Sequence, residues 1–398
     1  MAWLLLAPPL VWVALILIFL RPLRAAWREP TLRHPVLIVE SDDWGPGPAR
    51  HATALHRLAK CLLKYRDANG RLPVMTLGLT LSLPDSQAIR AAGLSLPYHS
   101  LPLTAPVYAD ILAAIREGIA AGIFAPQLHG MAHYWPEALM RAGQADPQVL
   151  DWILAGPGQE TESLPSPLQS RWVDASVLPS RTLPEPEIRA AVAEEIALYT
   201  QIFGDSPAVV VPPTFVWTET VEAAWARGGV ACVVTPGRRY IGRDAAGKPT
   251  AGAMGVALRN GQTGAAGVLY LVRDDYFEPA YGHAAERALD ALRDKTAQGR
   301  PCLLETHRFN FTGEHAAAAL RELDRLFAEA LSRHTDLRFT SSAELAEQYR
   351  RHGDWLETRL ARRFAALVAR ARRLPRFWKL ARLTGLGLIL SGLSNRLA

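Results

Sequence analysis

Through the middle of the chain, short apolar, β-branched runs alternate with longer stretches whose apolar positions recur at helical spacing. The runs 35–41, 74–82, 124–128, 208–211, 231–235, 268–273, 302–306 and 337–340 read as buried strands. Between them, 49–67, 108–121, 185–203, 218–228, 283–298, 314–333 and 342–351 read as helices. Strand and helix in strict alternation predict an α/β fold with a parallel sheet, and strands this short and numerous fit an irregular (β/α)7-type barrel better than an open sheet. Two stretches rich in Pro, Ser and Gly, 155–186 and 237–267, interrupt the alternation. Both are expected to be loops over the strand ends that shape a groove.

The two ends have other patterns. Residues 2–20 are uncharged and apolar, and nineteen residues span roughly 28 Å as a helix, enough to cross a bilayer. Trp3 and Trp12 suit its interfaces, and Pro8 and Pro9 disturb its first turns. A cleaved secretory signal is the alternative, but no basic region precedes the run and no small-residue cleavage site follows it. At the other end, apolar residues such as Leu356, Leu360, Phe364 and Phe377 recur among arginines, with Pro375 dividing the run. The pattern predicts a basic amphipathic helical tail lying on an anionic membrane surface, or else a solvated helix packed on the domain. The resulting division is an anchor with its basic flank over 1–28, a barrel over 29–352 and a tail over 353–398.

Composition sharpens this division. With 398 residues, 49% of them apolar, the chain can bury one core of roughly 250–300 residues. The net charge of +6 belongs to the ends: residues 355–398 hold ten Lys or Arg against the single acid Glu357, and the middle is net acidic. Nucleic acid is not an expected partner, since no reader motif accompanies the basic tail. Four arginines follow the apolar run and none precedes it, which favours a domain on the cytoplasmic face of a bacterial-type cell membrane over a periplasmic or exported one. Cys61, Cys232 and Cys302 are too few and too scattered for a disulfide framework or a thiolate metal site.

Three elements carry candidate chemistry. The run from Val36 to Val39 ends at Asp42 and Asp43, where a barrel strand would deliver active-site groups, although such a pair also caps turns and helices. His129 and His133 follow another short strand; four apart, they would share one face of a helical turn and reach one metal. With one carboxylate they would complete a two-His, one-carboxylate set that leaves a position open for water. His307 ends a late strand, where it serves either as a proton donor or as a loop-fixing hydrogen-bonding group.

An acid pair, then H-x-x-x-H, then a strand-end His, in this order along βα units, resembles the NodB-like polysaccharide deacetylases of the glycoside hydrolase/deacetylase barrel superfamily. The resemblance covers roughly residues 35–345 and extends to Val211-Pro212-Pro213 leading to Trp217, and to the segment from Tyr270 to Pro279. It implies that Asp42 is the base, that Asp43, His129 and His133 hold a divalent metal, and that His307 is the general acid. Zinc is the first choice of ion, with cobalt, nickel or iron able to satisfy the same ligands. Trp44 separates the acids from the following Gly, Gly130 replaces a Ser or Thr, and Val211 stands where the pattern carries an Arg that orients the base. Arg273 or Arg308 is expected to supply that charge, while Trp44, Pro213, Trp217 and Asp275 are expected at the substrate site.

The implied activity is metal-dependent removal of an N-acyl group, acetyl or formyl, from an amino sugar in a lipid-linked saccharide or cell-envelope polysaccharide. Two alternatives stand beside it. A glycoside hydrolase would pair Asp42 or Asp43 with Asp274, Asp275 or Glu278 across a glycosidic bond, about 5–10 Å apart. A membrane-bound carbohydrate-binding protein would keep the barrel without turnover.

Overall fold

The computed structural model describes residues 2–95, 97–252, 255 and 257–397. Nine strands make the main sheet: β1 (Val36–Trp44), β2 (Met75–Leu79), β3 (Phe124–Leu128), β4 (Val209–Val210), β5 (Cys232–Thr235), β6 (Leu269–Val272), β7 (Asp275–Tyr276), β8 (Cys302–His307) and β9 (Arg338–Phe339). The spatial order is β6-β5-β4-β3-β2-β1-β8-β7, with β9 pairing the start of β1, and all these pairings are parallel. Both ends of this path lie on one run of chain: 269–272 pair with β5, and 275–276 pair with β8. The sheet therefore curls into the arrangement of a (β/α) barrel, with Arg273 and Asp274 at the point where the run changes partners.

Successive strand residues face opposite sides of a sheet, so alternate residues line the interior. Val36, Ile38, Val209, Val211, Leu269, Leu271 and Leu303 form one inner cluster, while Leu37, Val39 and Leu304 face the larger core under the helices. The inward series runs from these apolar residues to Glu40 and Asp42 on β1 and to Glu305 and His307 on β8. An apolar floor thus carries a charged layer, all of it at the carboxyl ends of the strands.

The flanking helices include α1 (Ala2–Ile18), α2 (Leu20–Arg28), α3 (Arg50–Leu62), α4 (Ala109–Ala120), α5 (Pro136–Ala145), α6 (Pro147–Leu154), α7 (Glu185–Phe203), α8 (Glu219–Arg227), α9 (Ala285–Ala297), α10 (Ala316–Arg333) and α11 (Ser342–Arg350). The tail adds α12 (Leu360–Ala371), α13 (Pro375–Leu383) and α14 (Leu386–Leu397), broken at Pro375 as its sequence requires. All three cysteines are buried and free.

The amino-terminal end differs from the expectation of a single membrane-spanning helix, and the tail takes the alternative of helices packed on the domain. The apolar run breaks near Phe19, its two helices meet at 68°, and among the described residues no single helix is long and apolar enough to cross a membrane. The side chain of Trp3 lies outside the described residues. Leu15, Phe377, Ala381 and Leu386 share one apolar cluster, and the Trp12 indole donates to the Thr384 carbonyl at 2.8 Å. Arg370, buried, donates to the carbonyls of Ala26, Glu29, Pro30 and Gln298 at 2.8 Å, clamping α12 onto the chain that enters β1. The two termini therefore form one helical unit against the amino-terminal end of the strands.

Candidate metal centre

In a regular strand Asp42 and Asp43 would point to opposite faces. Between Ser41 and Trp44, however, β1 carries one residue more than β2, and Asp43 takes φ +69°. This β-bulge turns both carboxylates into one pocket, and Asp is among the few side chains that tolerate the left-handed region. Trp44 is then turned into the core, where its indole donates to Ser41 Oγ at 2.8 Å. Gly45 follows at φ +126°, and a Cβ there would lie 2.1 Å from the Thr80 carbonyl oxygen, so only glycine fits.

His129 and His133 do not share a helical turn. Both sit in irregular chain between β3 and α5, because Gly130 at φ +94° interrupts any helix, and the loop folds His133 back over His129. The His129 Nδ1–H donates to the Val211 carbonyl at 2.7 Å, leaving the Nε2 lone pair to face the pocket. That nitrogen lies 2.7 Å from His133 Nε2, and Asp43 Oδ1 lies 3.4 Å from the first and 2.8 Å from the second. Asp43 Oδ1 is buried with no hydrogen-bond partner. A tetrahedral ion with bonds of about 2.0–2.1 Å separates its donors by about 3.3 Å, so the three atoms fit one divalent ion. They are also the one such His, Cys, Asp and Glu group among the described residues.

Asp42 has a partner that the sequence leaves open between two arginines. Arg273 donates to Asp42 Oδ2 at 2.5 Å and to Glu40 at 2.9 Å, and its Nε lies 3.3 Å from Glu305. Burial pushes the Asp42 carboxyl up, but Arg273 and then His129 outweigh it and hold it below its ordinary range. Glu40 and Glu305 go the other way, raised by burial that Arg273 only partly offsets. Asp42 is thus the member of the trio whose charged form its surroundings favour. Arg308 does not reach it: its guanidinium forks onto Glu162 at 3.0 and 2.7 Å and donates to the Asp43 carbonyl.

Across the pocket, His307 Nδ1 meets Glu278 at 2.5 Å, and Asn310 donates to the other Glu278 oxygen. Burial pulls the imidazole down, but the Glu278 bond and the Asp43, Glu278 and Glu305 charges push it up to about 10. Nδ1 being engaged, Nε2 is the nitrogen left for a ligand.

The cavity formed has a volume of about 470 Å³ and takes in Asp42, Asp43, His129, His133, Arg273 and His307. Aromatic groups edge it: Phe309 stacks on His307 at 5.5 Å and lies 5.2 Å from Tyr281. The loop 155–186 contributes Glu162 and Gln169, whereas none of the described residues of 237–267 lines the cavity, since Thr263 pairs with β6 and Asn260 with Glu29 of the amino-terminal segment. Several residues expected at the substrate site lie elsewhere. Trp44, Pro213 and Trp217 are buried in the packing beneath it, Asp275 pairs with Lys295 at 3.2 Å, and Arg308 braces the loop. Glu40 and Glu305, unnoticed in the sequence, follow from the alternation that puts them one step below Asp42 and His307. The pairing of Glu278 with His307 has no comparable signal, because 29 residues separate them.

No protein-family model matches the chain, and no curated protein matches its sequence. Among solved structures it is similar to a family 4 carbohydrate esterase from Streptomyces lividans, at 11% identity and a TM-score of 0.36, over 79% of this chain and 96% of that one. The peptidoglycan deacetylase PdaC from Bacillus subtilis aligns at 12% identity and 0.35, over 88% and 98%. The α-amylase AmyC from Thermotoga maritima aligns at 10% and 0.41, over 79% and 75%. At these levels of superposition none of the three assigns an activity to this chain.

Proposed function

We propose that the protein is a metal-dependent hydrolase that removes an N-acyl group, acetyl or formyl, from an amino sugar of a lipid-linked saccharide or cell-envelope polysaccharide. The observation that carries this reading is the convergence of Asp43, His129 and His133 in one pocket, with ionised Asp42 on one side and protonated His307 on the other. A bound divalent ion, zinc by first choice or else cobalt, nickel or iron, supplies Lewis acidity toward water and the acyl oxygen. Asp42, oriented by Arg273, accepts the proton as water attacks the acyl carbon. The C–N bond of the tetrahedral species then breaks, and His307 delivers a proton from Nε2 to the departing amine. The products are a carboxylate and a free amino sugar. Tyr281 and Phe309 offer apolar faces against which a sugar ring can pack.

Saccharide is the substrate class in this reading, and an anionic membrane surface is the partner. The catalytic domain is assigned to the cytoplasmic face of a bacterial-type membrane, which a C-terminal reporter fusion tests. For the reaction, the purified chain is incubated with N-acetylated chito-oligosaccharide, with and without zinc. Zinc-dependent acetate release is the expected result. New reducing ends without acetate overturn the reading in favour of glycoside hydrolysis, and binding without any product favours a carbohydrate-binding protein.

A further inference from the structure

We propose that the N- and C-terminal helices together form a single docking site for an anionic phospholipid bilayer, in which arginine-lined clefts take lipid phosphates beside an apolar contact face. The inference rests on the membrane part of the preceding reading and is independent of the hydrolytic part.

The apolar face comes first. On α1, Leu15 is buried against the tail, but Leu10, Val11, Leu17 and Ile18 stay exposed, Ile18 at 74%. On α13 and α14, Leu383, Leu388 and Leu393 are exposed as well, Leu388 at 79%. These residues belong to helices already packed on one another through Leu15, Phe377 and Leu386, so they form one unit rather than scattered surface leucines.

Charge identifies what covers it. Beside α2, a cleft of about 450 Å³ is lined by Arg21, Arg24, Arg28 and Arg259. Among the described residues, none of these four guanidinium groups forms an ion pair. The one acid in that cleft, Glu29, is taken by Arg300 at 2.6 Å and by Asn260. A second cleft of about 440 Å³ on α13 holds Arg372, Lys379 and Arg382 beside Trp378 and exposed Leu383, with the Arg372 guanidinium 5.4 Å over the Trp378 ring. Elsewhere in the tail, arginines find partners inside the fold, as Arg370 does on carbonyls and Arg359 on Glu357. Cations without ion-pair partners, in the second cleft next to Trp378 and exposed Leu383, complement a surface that offers phosphate oxygens above hydrocarbon. A second copy of this chain would bring the same positive charge to the contact and is disfavoured.

The position has a consequence for the enzyme. The unit packs on the amino ends of β1 and β8, through Arg370 to Pro30 and to the Gln298 carbonyl, whereas the catalytic pocket opens at the carboxyl ends. The pocket is thus at the other end of the barrel from the docking unit, roughly 30 Å away by the length of nine strand residues. The saccharide that enters it is one that extends well beyond the lipid headgroups.

The test uses the full chain and co-sedimentation with vesicles of phosphatidylcholine, with or without phosphatidylglycerol, at about 0.1 M salt. The expected result is binding that requires phosphatidylglycerol. It falls about tenfold or more in Arg21→Gln/Arg24→Gln/Arg28→Gln, and similarly in Leu383→Ser/Leu388→Ser, both with unchanged thermal melts and acetate release. Binding to phosphatidylglycerol that neither variant weakens overturns this site but not membrane association. No binding to any vesicle overturns both. A dimer dissolved by the leucine variant also overturns it by naming another occupant.

Discussion

Arg273 sits 2.5 Å from the Asp42 carboxylate at the very point where one run of chain leaves β5 and joins β8. The charge that holds Asp42 comes from this break, while Val211 occupies the position where the resemblance implies an arginine. Arg273→Ala is expected to lower kcat by about a hundredfold to ten-thousandfold, the range for a general base. Arg273→Lys recovers little, because one ammonium cannot serve Asp42, Glu40 and Glu305 in the planar fork. Arg308→Ala is expected to act on KM through loop 155–186, leaving kcat within about tenfold. Steady-state kinetics with circular dichroism of each variant distinguish these outcomes.

In the proposed reaction, His307 and Glu278 are expected to set the basic limb of the pH profile. With His307 raised to about 10, deacylation stays level from neutral pH upward and falls as pH approaches 10. Glu278→Gln moves that fall toward neutral pH, and His307→Ala removes the limb along with most of the rate. The linked effect on stability has a definite sign. A folded value above the unfolded value of about 6.5 makes the Glu278–His307 pair stabilising below about pH 6.5, and the contribution is lost as pH rises to about 10. Thermal melts of wild type and Glu278→Gln should therefore converge at high pH; a constant gap across the series would contradict the pairing.

Metal binding should show a proton competition. Burial lowers the His129 value, but the charges of Asp42 and Asp43 overcome it and raise it. Protons therefore compete with the ion for this nitrogen, and zinc affinity should fall steadily as pH drops below neutral. Titration calorimetry over a pH series measures this directly. His133→Ala should abolish tight binding and the zinc-dependent rise in Tm together.

Gly78 on β2 leaves the room that the Asp42 carboxylate occupies. A Cβ at that position would lie 2.3 Å from Asp42 Oδ1, and Arg273 prevents the carboxylate from swinging away. Gly78→Ala is expected to cut kcat at least about tenfold with stability lowered by no more than about 1–3 kcal/mol, the usual cost of overpacking. Zinc affinity should persist, since the three donors are untouched; a wild-type rate in this variant would show that Asp42 need not hold its place.

Arg370 is a stability prediction away from the site. Its loss leaves several buried carbonyls without donors, and Arg370→Met should lower stability by roughly 2–4 kcal/mol. The measurement is denaturant unfolding, and proteolysis should then cut first between Leu356 and Pro375.

Much of the site was legible in order along the chain. Asp42 and Asp43 lie at the end of β1, His307 ends β8, and His129 and His133 follow the end of β3, because parallel βα units deliver every carboxyl end to the same side. The two-residue period even marks Glu40 and Glu305 as inward-facing once strand parity is written out. The helical reading of His129 and His133 failed because a single glycine, Gly130, decides the local backbone and its conformation depends on what the loop packs against. The expectation for Trp44 failed for a related reason, since one extra residue in β1 reverses which face each later side chain takes.

The sequence by itself determined the alternation of elements, the strand ends that carry acids and histidines, and the concentration of positive charge in the terminal segments. Those are local properties, written in periodicity and composition. Only the tertiary structure decided that Arg273 rather than Arg308 meets Asp42, that Glu278 meets His307, and that the apolar amino terminus folds onto the basic tail. Each joins residues tens to hundreds of positions apart, and which distant groups meet depends on strand register and on the burial of whole faces.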